Sequence, residues 1–182
     1  YALQGAAVAV NNDTGLVEAI VGGRSQETST YTLNRAFQSF RQPGSSIKPL
    51  IVYAPALEEG YASFSSVKDI NVDAAKEPKA DVASLPGNWI TLRQAVEKSR
   101  NGAAWWLFNE VTPEEGLSYL TQMQFDKIVP DDYNMAASLG GFTYGVTAEE
   151  MAGAFSALEN GGVYREPDCI VRMENLAGED IY

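Results

Sequence analysis

Between residues 45 and 162 the sequence carries four helix starts, and three of them are written around threonine. Thr91-Leu92-Arg93-Gln94 is a capping box, with hydroxyl and amide placed to satisfy each other's backbone N–H groups. Thr112-Pro113-Glu114-Glu115 combines a cap, a proline at the first helical position and acids at the positive end of the dipole. Thr147-Ala148-Glu149-Glu150 opens a helix that Gly161-Gly162 should stop. The remaining start follows Pro43-Gly44; its helix should begin near Ser45 and run through Leu50-Ile51-Val52-Tyr53 toward Gly60, with Pro55 kinking or ending it.

β-type runs flank this helical middle. Ala7-Val8-Ala9-Val10 leads into Asn11-Asn12-Asp13-Thr14-Gly15, a strong turn signal, and Leu16 to Val21 returns as a half-buried strand. Residues 24–44 read as polar and irregular. Ile170-Val171-Arg172-Met173 reads as a strand, Leu176 to Glu179 as a turn, and Asp180-Ile181-Tyr182 as the start of a return strand. Strands, then helices, then strands indicate an α+β layered domain. Residues 1–182 form one unit without repeats: a hairpin at 6–23, a helical region at 45–162 and the start of a strand region at 163–182.

Composition excludes several chemistries. The chain has no histidine and one cysteine, Cys169, for which a buried thiol is the simplest reading. Ser-His-Asp and Cys-His catalysis, zinc sites built on His and Cys, and an intrachain disulfide are therefore ruled out. A nucleophile here needs Lys, Tyr, Asp or Glu as its base. A net charge of -11 argues against binding nucleic acid through phosphates. No apolar run is long enough to span a membrane, so no membrane contact is expected from these residues. No cofactor and no metal site is expected.

Two segments can carry chemistry. In Arg41-Gln42-Pro43-Gly44-Ser45-Ser46-Ile47-Lys48-Pro49, a helix starting at Ser45 puts Ser45 and Lys48 on one face. Ser45 would meet the free N–H groups and positive dipole end, which favour an attacking oxygen and a developing oxyanion. Lys48 could accept the Ser45 proton if burial or nearby cations lower its pKa. The pattern fits equally a serine cap beside a solvated lysine. In Ser99-Arg100-Asn101 a hydroxyl and an amide share one side of a tight bend, where they could relay a proton and hold a substrate carbonyl. A plain helix-ending turn fits that segment too.

Together, in this order, the two segments resemble the transpeptidase domain of class A (bifunctional) penicillin-binding proteins, relatives of the serine β-lactamases. The likeness runs through the chain: Thr14-Gly15 to Arg24, Leu33-Asn34-Arg35-Ala36, Ile90 to Ala95, Ser138-Leu139-Gly140-Gly141 with Gly145-Val146-Thr147, Met151-Ala152, and Asn160-Gly161-Gly162-Val163-Tyr164. The resemblance implies a β-lactamase/transpeptidase-like fold, an antiparallel sheet flanked by helices with a helical subdomain. It implies Ser45 as acylated nucleophile, Lys48 as general base, Ser99 as proton relay and Asn101 as orienter of substrate and lysine, with Ser99 and Asn101 lining the substrate cleft. The reaction implied is cross-linking of D-Ala-D-Ala stem peptides of peptidoglycan, with β-lactams as covalent inhibitors of the same serine.

The family's third motif, Lys-Thr-Gly, is missing, since no lysine here precedes Thr-Gly. With Tyr1 lacking a preceding Met and the last hairpin unfinished, the chain reads as a fragment without its C-terminal strands, impaired or inactive by itself, with strand edges and a core face exposed. The family implies an extracytoplasmic location and a parent protein anchored to the membrane upstream. A serine β-lactamase is the enzymatic alternative; Glu110, Glu114 and Glu115 are present, but nothing in the sequence ties them to Ser45. A non-catalytic penicillin-fold sensor or scaffold is the other. Trp105 and Trp106 are expected to pack the core behind the Ser99 turn rather than line a groove.

Overall fold

Every threonine cap forms as its local chemistry dictates. A computed structural model describes residues 3–24, 32–77 and 80–181. Its elements in chain order are β1 (Ala7–Val10), β2 (Val17–Val21), α1 (Arg35–Gln38), a 3₁₀ turn at Gly44–Ile47, a π-helical turn at Pro49–Tyr53, and α2 (Ala54–Glu58). There follow β3 (Ser66–Ile70), α3 (Val72–Ala75), β4 (Gly87–Thr91), α4 (Leu92–Glu97), α5 (Asn101–Val111), α6 (Pro113–Gln122) and α7 (Ala148–Glu159). Thr91 and Thr147 close full capping boxes with Gln94 and Glu150, and the Thr112 side chain accepts from the Glu115 N–H. Part of the irregular 24–44 stretch, residues 25–31, lies outside the described residues, as does Tyr182.

The chain divides into two compact units, residues 1–41 with 146–182 and residues 42–145. In the first, β1 and β2 pair antiparallel with Ala7 opposite Val21 and Ala9 opposite Ala19. Asn11 makes the turn, its side chain accepting from Asp13 and Thr14 N–H, and Gly15 takes φ +78°. The inner face of α7 carries small residues, Gly153, Ala154, Ser156 and Ala157, and packs against β1 and α1. β2 departs from its half-buried expectation: Ile20 and Val21 are exposed.

Residues 163–181 depart further. Ile170–Met173 forms no strand; it lacks a partner strand among the described residues, and β-propensity without pairing is not enough. The Leu176–Glu179 turn does form, closed by an isolated bridge between Glu174 and Asp180 and a bond from Ile181 N–H to the Met173 carbonyl. Cys169 lies on this tail and is exposed rather than buried, because the tail has little core to pack into.

The second unit is built around α5. Its residues Gly102 to Phe108 are all buried, as a helix apolar all round must be. Trp105 and Trp106 are core residues as expected, while Trp89 is exposed and meets Trp106 edge-on. Against α5 lies an antiparallel β3–β4 ribbon with Val67 opposite Ile90 and Ile70 opposite Gly87. This ribbon interrupts the region expected to be helical throughout. The described strands thus form two separate two-stranded ribbons.

The segment after Gly44 is helical from end to end but not one α-helix. A proline in an α-helix collides with the carbonyl four residues back. For Pro55 that is Ile51, and the wider π turn at Pro49–Tyr53, closed by the Ala54 N–H on the Pro49 carbonyl, accommodates the ring. Pro55 therefore does not end the segment; it sits in the first turn of α2. Leu50, Ile51 and Val52 are buried against α5 and α6.

Helix α6 approaches this segment over Gly116, where a Cβ would stand 2.5 Å from the Ile51 carbonyl oxygen. Gly116→Ala should cost about 2 kcal/mol through overpacking against that backbone, read by urea unfolding of the intact protein.

Candidate active site

The 3₁₀ turn decides where Ser45 and Lys48 point. At three residues per turn, positions i and i+3 eclipse each other, so the two side chains share a face more closely than on an α-helix. Ser45 does not cap an α-helix; it is the second residue of the 3₁₀ turn that opens the helical segment. The two neighbouring serines differ: the Ser46 hydroxyl donates to the Pro43 carbonyl at 2.7 Å, whereas Ser45 is exposed and its hydroxyl bonds to no described residue. The Ser45 N–H likewise donates to no carbonyl among the described residues, leaving it available to an incoming oxygen.

Lys48 is 1% exposed, one of the largest fully buried side chains. Its ammonium donates to the Ser99 carbonyl at 2.9 Å, to Ser99 Oγ at 3.3 Å and to Asn101 Oδ1 at 2.7 Å. Segments 51 and 53 residues apart thus meet at one nitrogen. A serine cap beside a solvated lysine, the alternative pattern, is not what forms. Burial pulls the Lys48 pKa below its ordinary value of 10.5, and the negative charge of Asp69 opposes that in part.

Ser99 ends α4 in a Schellman-type turn: Arg100 N–H bonds the Ala95 carbonyl and Ser99 N–H bonds that of Val96. The turn places Ser99 at φ +47°, a conformation that glycine normally fills. The consequence is that the Ser99 carbonyl and hydroxyl both face Lys48. Helix α5 starts at once, so Asn101 projects from its first turn onto the same nitrogen.

The Ser45 turn is braced from a third side. Gly140, at φ +81°, lies so close to Gly44 that a Cβ would stand 2.3 Å from the Gly44 nitrogen. The Gln42 amide accepts from Phe142 N–H at 2.7 Å and donates to the Phe142 carbonyl. Buried Asp132 in turn accepts from the Thr143 N–H and hydroxyl and from Val129 N–H. None of Gln42, Asp69, Arg100 or Asp132 is singled out for the site by sequence; Val67-Lys68-Asp69-Ile70 carries two charges in four residues, so no buried carboxylate stands out there. Glu110, Glu114 and Glu115 lie around the far end of α5, about 13 Å along the helix from Asn101, and do not reach the site.

No described helix is long and apolar enough to cross a membrane, and no group of three His, Cys, Asp or Glu among the described residues could hold a metal ion.

An exposed serine, a buried amine three residues on, and a hydroxyl–amide turn facing that amine thus come together, a set whose chemistry suits acyl transfer with lysine in place of histidine. Residues 5–180 match the penicillin binding protein transpeptidase domain, and the chain belongs to that family. It is 36% identical to penicillin-binding protein 4 of Bacillus subtilis, over 99% of this chain and 29% of that protein. The crystal structure of penicillin-binding protein 1A from Haemophilus influenzae superposes with a TM-score of 0.77 at 31% identity, over 98% of this chain and 27% of that one. The fold is shared at 20% identity by penicillin-binding protein A of M. tuberculosis in its penicillin G acyl-enzyme complex, with a TM-score of 0.73 over 98% of this chain and 51% of that one. The chain thus spans less than a third of the length of the curated relatives it matches.

Ser99→Ala and Ser99→Gly both delete the hydroxyl, but only glycine accepts the positive φ freely. The alanine variant should be about 1 kcal/mol less stable than the glycine variant in thermal unfolding.

Proposed function

We propose that this chain carries the acylation machinery of a peptidoglycan D,D-transpeptidase. Ser45 Oγ attacks the carbonyl between the two D-alanines of a stem peptide while Lys48, in the fraction of molecules where it has lost its proton, accepts the hydroxyl proton. The Ser45 N–H donates to the developing oxyanion. Ser99 Oγ, 3.3 Å from Lys48 Nζ, passes a proton to the departing amine, and D-alanine leaves. The amine of a neighbouring stem peptide then attacks the Ser45 ester and restores the serine, forming the cross-link. Asn101 holds Lys48 and offers its amide N–H₂ to the peptide carbonyl. β-Lactams would acylate Ser45 by the same attack, their ring amide replacing the peptide bond.

The observation that carries this reading is the buried Lys48 ammonium shared by Ser99 and Asn101 while Ser45 stays open. A structural lysine has no need of a serine in the left-handed region beside it. In this reading the Lys-Thr-Gly strand, with its carboxylate contact and second oxyanion donor, is not among these 182 residues, and the domain works at the outer face of the cytoplasmic membrane within a longer, anchored protein. The distance of Glu110, Glu114 and Glu115 from the site disfavours a β-lactamase that deacylates through one of them.

Labelling of the intact protein with a fluorescent penicillin tests the reading. Ser45→Ala should abolish the adduct, Lys48→Ala should slow acylation by about a thousandfold, and Asn101→Ala by roughly ten- to a hundredfold. The adduct should persist; release within seconds would indicate a β-lactamase, and labelling that survives Ser45→Ala would overturn the assignment.

The acylation rate should also climb with pH as Lys48 loses its proton. Because burial favours the neutral amine, the inflection should lie below 10.5, and stopped-flow acylation across that range measures it.

A further inference from the structure

We propose that Asp69 and Arg100 are positioning residues for this centre, their ion pair clamping the Ser99–Asn101 turn onto β3 so that its oxygens stay aimed at Lys48. The proposal rests on the reading of Ser45 as nucleophile and Lys48 as base.

Arg100 is the middle residue of the turn, between the two that bond Lys48. Its backbone caps α5 without any side-chain cap bond. The guanidinium instead reaches back to β3, where Nε and Nη2 meet Asp69 Oδ2 at 2.7 and 2.5 Å. The Asp69 side chain is 8% exposed and that of Arg100 51%, so the contact is charge-assisted, with its carboxylate sheltered and its guanidinium half in solvent. Gly102 completes the clamp: a Cβ there would stand 2.0 Å from the Ile70 carbonyl oxygen and 2.5 Å from Asp69 Oδ1. The first turn of α5 therefore rests directly on the end of β3, with the Asp69 carboxylate under it.

This arrangement explains how a serine is kept at φ +47°. A left-handed non-glycine residue persists only when its surroundings over-determine it. Here α4 fixes the turn from one side by backbone bonds, and Asp69 fixes it from the other through Arg100. Asp69 has a second effect. Its charge acts on the Lys48 ammonium, favouring the protonated form against the effect of burial. The charged groups around the lysine are thus Asp69 from β3 and Arg100 from the turn, with the buried Tyr53 hydroxyl facing the same carboxylate from Lys48's own segment.

The test is the second-order acylation rate of the intact protein by a fluorescent penicillin, across pH, for Asp69→Asn, Arg100→Gln, their double variant and Arg100→Lys. Circular dichroism fixes a temperature at which each variant is folded. Asp69→Asn and Arg100→Gln should each slow acylation about ten- to a hundredfold, and the double variant no more than the slower single one. Asp69→Asn should move the inflection to lower pH, because the charge that favours the ammonium is gone. Arg100→Lys should recover part of the rate, which also covers the case in which a neutral variant fails to fold. Full rates with an unmoved inflection in folded variants, or losses that simply add, would overturn the proposal. If labelling does not depend on Ser45 at all, the underlying reading falls instead; a Ser45-dependent rate indifferent to Asp69 and Arg100 sinks only this inference.

Discussion

Lys48 is held by a carbonyl, a hydroxyl and an amide oxygen, and no carboxylate among the described residues bonds its nitrogen. That choice governs the site. A direct carboxylate partner would hold the amine in place but also hold its proton, and a base that never loses its proton cannot act. Neutral acceptors fix the position of the nitrogen at a smaller penalty to deprotonation. Asp69 contributes its charge from a distance and spends its hydrogen bonds on Arg100. The groups that touch the nitrogen are thereby different from the group whose charge acts on it.

The surrounding architecture serves that one nitrogen. The 3₁₀ turn puts Ser45 above Lys48; α4 ends so that Ser99 turns inward; α5 begins so that Asn101 follows. Gly140 presses on Gly44 from behind, and the Gln42 amide joins that segment to the Phe142 backbone. Each of these contacts is between backbone, or between backbone and a short side chain. Such contacts leave little slack, as an acyl-transfer centre needs when an ångström of misplacement is costly.

What the sequence showed followed the range of the interactions involved. Helix caps at Thr91, Thr112 and Thr147 are satisfied within three residues, so they could be read directly. The Ser45–Lys48 spacing is equally local, and the order of the two motifs supplied the family. β3 and β4 escaped notice because Lys68 and Asp69 break the apolar pattern of one, and both are short. The Ile170 run failed in the opposite sense: its composition suits a strand, yet pairing is a tertiary matter and no partner strand is among the described residues. Asp69, Asp132 and Gln42 act only through residues distant in sequence, and no local pattern marks them.

The π turn at Pro49–Tyr53 has a consequence for the register of this segment. Such a turn holds one residue more than an α-helical turn over the same arc. Removing any one residue from it would let the segment close as ordinary α-helix with the residues on either side still in phase. Lys48 would then keep the side it turns toward Ser99 and Asn101, but the Pro55 ring would meet the carbonyl one turn back with no widened turn to receive it. The extra residue therefore serves the proline rather than the register of Lys48, and its loss would strain the helix without turning the lysine aside.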